Sequence, residues 1–162
     1  MNNLILIRHG QSHWNKERRF TGWADIDLTD EVGKAEARQA GLLIKDLNIK
    51  FDAFFSSKLI RAVRTLKIIK EVLNKSDDKI DEAWELNERH YGDLTGLNKD
   101  ETIKKYGSMQ VKIWRRSFDI APPPMSPEHP YINKINSKIL SESLKDTFER
   151  VLPFYEKNIE PL

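Results

Sequence analysis

The chain of 162 residues contains no cysteine. Disulfide scaffolds and thiolate metal centres are therefore excluded. It has no apolar run approaching the ~18 residues that a membrane-crossing helix needs. The first residues, Met1-Asn2-Asn3, lead directly into Leu4-Ile5-Leu6-Ile7. That start lacks the basic segment, long apolar stretch and small-residue cleavage site of a secretion signal, so a cytoplasmic setting is expected. Charge of one sign is also scarce. Twenty-seven Lys and Arg stand against 25 Asp and Glu, a net charge of +2, which argues against a nucleic-acid partner. Internal repeats and low-complexity tracts are missing. What remains, with 39% hydrophobic and 32% charged residues, has the length and composition of a single globular domain over residues 1–162.

Apolar runs and helical periodicity alternate along the chain. Leu4–Ile7 reads as a strand buried on both faces, delivering Arg8-His9-Gly10 at its C-terminal end. Residues 11–27 read as a long loop. Thr29 is placed to cap a helix reaching Leu47, with Val32, Ala35, Leu42, Leu43 and Leu47 as its apolar face. Asp52–Ser57 is a second strand, followed by a helix over 58–73 on Leu59, Ala62, Val63, Leu66, Ile69 and Leu73. Ile80–Trp84 is a third strand candidate. Asn98 and Glu101 form a capping-box pattern before a helix to Tyr106, and another helix covers 108–118. Residues 121–140 form an irregular excursion. A last helix over 142–158 has its stripe on Leu144, Phe148, Val151, Leu152, Tyr155 and Ile159, and Pro153 inside it predicts a kink or break. The alternation implies an α/β fold, a three-layer sandwich with a mostly parallel central sheet flanked by helices.

Ligands in such sheets bind at the carboxyl ends of strands. A neutral imidazole at His9 can attack phosphorus if its other ring nitrogen has a fixed partner, usually a carbonyl. Arg8 beside it can fork onto phosphate oxygens, and Gly10 permits close backbone approach. Taken alone, the tripeptide reads as a surface histidine in a turn. Arg61 and Arg64, three apart on a helix, read alone as a solvated face. Arg115-Arg116 next to Trp114 reads alone as a surface patch.

The surrounding segments carry more. Gln11-Ser12-His13-Trp14-Asn15, Phe20-Thr21-Gly22-Trp23, Ser56-Ser57-Lys58 with Arg61, Asn87-Glu88-Arg89-His90-Tyr91-Gly92 and Trp114-Arg115-Arg116 occur in this order. Together they resemble the 2,3-bisphosphoglycerate-dependent phosphoglycerate mutases of the histidine phosphatase superfamily. The resemblance implies a phosphoglycerate mutase-like fold and interconversion of 3-phosphoglycerate and 2-phosphoglycerate. It implies 2,3-bisphosphoglycerate as primer, no metal, and small phosphorylated three-carbon acids as partners. His9 would carry the phosphoryl group, and Glu88 would be the general acid and base. Arg8, Ser12, Asn15, Thr21, Gly22, Arg61, Arg89, Tyr91, Lys99, Arg115 and Arg116 would hold the phosphates and carboxylate. His90 has no such role in the matched motif. Self-association as a dimer or tetramer is expected of the family.

The family pattern continues beyond the segment matching 142–162, with a strand ending in a second catalytic histidine. These 162 residues contain no match to it. The expectations are a sheet lacking the family's C-terminal strands, an unpaired apolar edge at Leu4–Ile7, and low mutase activity from these residues alone. Two further readings stay open: a histidine phosphatase acting on small phosphorylated metabolites, and a non-catalytic remnant that binds anions.

Overall fold

In a computed structural model, residues 3–162 are described. Their contacts gather into two units. The first takes the chain up to His13 together with Ile26–Leu86; the second takes Trp14–Asp25 with Asn87–Leu162.

The first unit holds α2 (Val32–Asp46), β1 (Phe55–Ser57), α3 (Ile60–Val72) and β2 (Asp81–Ala83). β1 and β2 pair in parallel, with Phe55 opposite Asp81 and Ser57 opposite Ala83. Helix α3 is the crossover between them, as parallel pairing requires. Among the described residues the sheet has these two strands. The α/β class and the parallel pairing agree with the sequence, but two elements do not. Leu4–Ile7 forms no strand, and Leu4, Leu6 and Ile7 are exposed, Leu6 at 86%. A β-propensity run becomes a strand only where a neighbour satisfies its backbone, and among the described residues none pairs with this one.

The second correction concerns α2. Val32, Ala35, Leu42, Leu43 and Leu47, the expected core face, are all exposed. Gly33, Ala37, Gly41 and Ile44 are buried instead. These recur at helical spacing and are mostly small, so α3 comes close. A Cβ added at Gly41 would stand 3.0 Å from the Cβ of Val72. Thr29 does hold the start of this helix, its hydroxyl accepting the Gly33 amide at 2.8 Å. Helix α3 buries Val63 and Ile69 as expected, but also Arg61, Thr65 and Lys70. Lys70 is held by the carbonyls of Ser76 and Asp78. At its end Asn74 takes φ 57°, and the amides of Asn74 and Lys75 bond the carbonyls of Glu71 and Lys70. This left-handed stop is one that asparagine tolerates better than other non-glycine residues.

The expected loop over 11–27 is mostly irregular chain and contains one short helix, α1 (His13–Lys16), followed by Arg18 at φ 58°. An antiparallel bridge between Ser12 and Leu28 closes the segment at its base.

The second unit holds α4 (Lys99–Tyr106), α5 (Ser108–Arg116), α6 (Ile132–Ile135) and α7 (Leu144–Asn158). The Asn98 side chain accepts the amides of Asp100 and Glu101, so the expected cap is present. Phe20, Leu94 and Val111 form the core, with Tyr91, Ile103 and Trp114 packed on it. Ser143 and Asp146 make a reciprocal capping box at the start of α7. The helix runs through Pro153 without a break. Proline removes one intrahelical bond, and the helix bonds on either side carry the chain past it. The expected stripe is only partly used: Leu144 and Phe148 are exposed, whereas the Arg150 side chain is 5% exposed.

Candidate functional site

In the first unit the polar residues gather around residues 8–12. The loop is wedged between α2 and α3. A Cβ at Gly10 would lie 2.2 Å from the Gly33 carbonyl oxygen, and a Cβ at Gly33 would lie 2.2 Å from that of Gln11. Both positions exclude any side chain. The Gly10 amide donates to the Thr65 hydroxyl at 3.1 Å, and that hydroxyl donates to the Arg61 carbonyl at 2.7 Å. The Gln11 amide donates to Glu36 at 2.7 Å, and the Gln11 carbonyl accepts the Thr29 amide at 2.9 Å. Ser12, fully buried, bridges to Leu28.

This frame fixes His9. Its Nδ1 lies 2.7 Å from the Gly10 carbonyl oxygen. A carbonyl only accepts, so Nδ1 carries the proton and Nε2 keeps its lone pair. Arg61 Nε donates to that Nε2 at 3.2 Å. Burial is the main cause that lowers the His9 pKa from 6.5 to about 4; the Gly10 carbonyl opposes it, and Arg61 and Arg8 add to it. The ring is therefore neutral at pH 7 in the tautomer that puts the lone pair on Nε2, where it accepts the Arg61 N–H. Arg61 itself is fully buried, which overturns its reading as part of a solvated face. Arg64, one turn away, is the exposed partner of Asp27. Arg8 is exposed beside His9.

In the second unit, Thr21–Trp23 packs against Glu88–Tyr91. Gly22 takes φ 52°, and a Cβ there would stand 3.1 Å from the Tyr91 amide nitrogen and 3.2 Å from the Arg89 carbonyl oxygen. The Thr21 hydroxyl is buried and meets no hydrogen-bond partner among the described residues. Arg89 is buried; its Nη2 donates to the Arg115 carbonyl at 2.7 Å and its guanidinium lies 5.1 Å from the Tyr91 ring centre. The Tyr91 ring packs against Phe20 at a tilt of 57°, and Lys99 sits 5.8 Å over that Phe20 ring. Arg115 is half-buried and Arg116 exposed at the end of α5. Asn15 lies in α1, half-buried.

Glu88 is exposed between the buried Asn87, Arg89 and His90. His90 is 1% exposed, and its Nδ1 accepts the Gly92 amide at 2.9 Å. Burial lowers its pKa to about 4, against an opposing pull from Glu142. It is a neutral ring built into a turn, in the tautomer opposite to that of His9.

Several residues in these frameworks escaped the sequence reading: Gly33, Glu36, Thr65, Glu142 and Arg150. Thr65, four residues beyond Arg61, and Gly33, four residues after the Thr29 cap, are the two that local spacing could have flagged. A cleft of about 380 Å³ lined by Lys67, Lys70, Glu71, Ser76, Asp78, Ile80 and Glu82 touches none of the expected site residues. Among the described residues no cluster of His, Asp and Glu could hold a metal ion, and no helix is long and apolar enough to cross a membrane.

The family model for the histidine phosphatase superfamily (branch 1) matches residues 4–160. A 2,3-bisphosphoglycerate-dependent phosphoglycerate mutase 2 of Bacteroides thetaiotaomicron is 48% identical over 99% of this chain and 68% of its own length. A 2,3-bisphosphoglycerate-dependent phosphoglycerate mutase of Parabacteroides distasonis is 46% identical with the same coverage. The solved phosphoglycerate mutase of Thermus thermophilus superposes with a TM-score of 0.60 at 30% identity, over 94% of this chain and 70% of that one. A mycobacterial glucosyl-3-phosphoglycerate phosphatase superposes at 0.72 with 23% identity, over 94% and 64%, a likeness of fold. The chain thus spans about two thirds of the length of the curated relatives it matches.

Proposed function

The chain belongs to the histidine phosphatase superfamily, and from that premise we propose that it serves the interconversion of 3-phosphoglycerate and 2-phosphoglycerate through a phosphohistidine. The observation that carries the reading is the state of His9: neutral, Nδ1 donating to the Gly10 carbonyl, and Nε2 carrying the lone pair that accepts from Arg61 and that the attack frees when this N–H turns to the phosphate. The names of the mutase relatives support the substrate class.

In this reading Nε2 of His9 attacks phosphorus. The P–N bond forms as the bond to the glycerate oxygen breaks, and Glu88 gives its proton to that oxygen. In return, the second hydroxyl surrenders its proton to Glu88 and attacks the phosphohistidine. 2,3-Bisphosphoglycerate supplies the priming phosphoryl group. Its several negative charges call for planar cations, and Arg8, Arg61, Arg89, Arg115 and Arg116 provide five guanidinium groups matched to phosphate and carboxylate. Ser12, Asn15, Lys99, Tyr91 and the Thr21–Gly22 backbone complete the proposed binding set. Phosphoryl transfer depends mostly on positioning and charge stabilisation, which buried and tethered groups such as Arg61 and Arg89 supply.

The test is labelling with [³²P]-bisphosphoglycerate. The parent chain acquires acid-labile label and His9→Ala acquires none. Equal labelling of the two would remove His9 as nucleophile. Following product in the same reaction decides the acceptor. Formation of 2-phosphoglycerate supports the mutase reading, and stoichiometric release of free phosphate replaces it with hydrolysis.

A further inference from the structure

The strongest polar burial in the second unit surrounds the main chain of Glu88. Arg150 forks onto Glu142, Nε to Oε1 at 2.7 Å and Nη2 to Oε2 at 2.9 Å, with side chains 5% and 2% exposed. The third guanidinium nitrogen, Nη1, donates to the Asn87 carbonyl at 3.2 Å. Glu142 Oε2 also accepts the His90 amide at 2.9 Å, and the Glu142 amide donates to the His90 carbonyl at 2.9 Å. The Arg150 guanidinium lies 5.5 Å from the Trp23 ring centre. Trp23 Nε1 in turn donates to the Glu88 carbonyl at 2.6 Å. The main chain is thus held at 87, 88 and 90 by three side chains from two distant segments, while the Glu88 side chain is exposed.

A buried ion pair is a poor way to gain stability. Desolvation offsets most of its attraction, and apolar pairs of equal volume often do as well. Its value here lies in geometry. A bidentate fork has one orientation, and that orientation sets the Asn87 carbonyl and the His90 amide on either side of Glu88. Accepting the acid/base reading of Glu88, we infer that the Arg150–Glu142 pair and Trp23 are positioning residues for the Glu88 carboxyl group. They act on the chemistry only through that group, and a displacement of about 1 Å at a reacting group costs on the order of 100-fold in rate.

The experiment uses Trp23→Phe, which removes the indole donor and keeps the ring, and the double variant E142L/R150M, which keeps volume and burial. Two readouts are taken. The first is the NMR order parameter of the Glu88 amide, expected to fall from the rigid range of about 0.85 toward 0.6 in both variants, with α4 and α5 amides unchanged. The second is turnover of 3-phosphoglycerate to 2-phosphoglycerate, expected to lose about 10- to 100-fold in kcat at constant KM. The same substitutions placed on Glu88→Gln then cost no more than about twofold, since the group they serve is gone. An unchanged order parameter at Glu88, or losses that multiply in full with Glu88→Gln, overturns the inference. If Glu88→Gln by itself retains parental turnover, the acid/base reading fails instead. The order parameter, which needs no turnover, still decides whether the frame holds the Glu88 main chain.

Discussion

Two histidines in opposite tautomers, His9 half-buried and His90 buried, give the sharpest prediction. In His9 the Gly10 carbonyl takes the Nδ1 proton's hydrogen bond; in His90 the Gly92 amide donates to Nδ1. His9 therefore carries Nδ1–H and His90 carries Nε2–H, and burial holds both titration midpoints near 4. A midpoint near 4 in place of 6.5 corresponds to about 3 kcal/mol of preference for the neutral ring. At pH 5 an ordinary histidine is about 3% neutral, whereas one with a midpoint near 4 is about 90% neutral, a ratio of about 30. The sign for stability follows from proton binding. The unfolded chain takes up a proton at His90 as pH falls through 6.5, and the folded chain does so only near 4. The stabilisation is complete above 6.5 and is lost as pH falls toward 4, by up to about 3 kcal/mol for the fully buried His90. With four histidines in the chain, ¹⁵N and ¹³C spectra are simple, and His9→Ala and His90→Asn assign the two signals. Ring carbon shifts report the tautomer and a pH series reports the midpoint. His90→Asn should also flatten the urea-unfolding free energy between pH 6.5 and 4 by the same amount. A His9 midpoint above 6, or an Nε2–H tautomer for His9, would refute the reasoning and remove the lone pair that the proposed attack needs.

Arg61→Met should lower the rate of His9 phosphorylation by about 100- to 1,000-fold, the loss typical of one charge-stabilising donor, while the exposed Arg64→Met changes it by less than about threefold. Equal effects would show that burial beside His9 is irrelevant to the reaction. Gly10→Ala pushes a Cβ to 2.2 Å from the Gly33 carbonyl oxygen, so the loop must move. A loss of about 1–3 kcal/mol or more is expected in urea unfolding, and an unchanged midpoint would mean the loop is not wedged. Asn98→Ala removes the acceptor for the amides of Asp100 and Glu101 and should cost about 1 kcal/mol, checked by the same measurement.

The parts of the fold legible in the sequence were those settled within one element. The α3 helix and the Asn98 cap each depend on residues a few positions apart, and each lies close to where periodicity and capping rules put it; Phe55–Ser57 is a strand because its expected partner at Asp81–Ala83 is present. The misreadings share a cause. Leu4–Ile7 has strand composition, yet a strand exists by pairing, and no pairing partner is present among the described residues. Helix α2 has leucines spaced for a core face, yet Gly33, Ala37 and Gly41 win the interior because small residues let α3 approach. Hydrophobicity ranks residues by what they gain from burial, and close helix contact ranks them by what they leave room for.

The candidate site divides along the same line. His9, Arg61 and the Thr21–Trp23 and Asn87–Gly92 segments stand out through their likeness to the family's segments, since Arg61 taken by residue type alone reads as part of a solvated face. The groups that hold them do not. Thr65, Glu36, Glu142 and Arg150 act through single hydrogen bonds to main-chain atoms 25 to 63 positions away, and nothing local in the sequence marks such a bond. Arg150 was hidden further by its setting between Phe148 and Val151 on an apolar stripe, where a cation looks misplaced. Burying a guanidinium is costly unless every donor direction is met. Arg150 is 5% exposed and meets two Glu142 oxygens, the Asn87 carbonyl and the Trp23 ring. A charged residue on an apolar helix stripe is thus itself a signal. It asks what it is paired with, and here the pairing leads directly to the main chain beside Glu88.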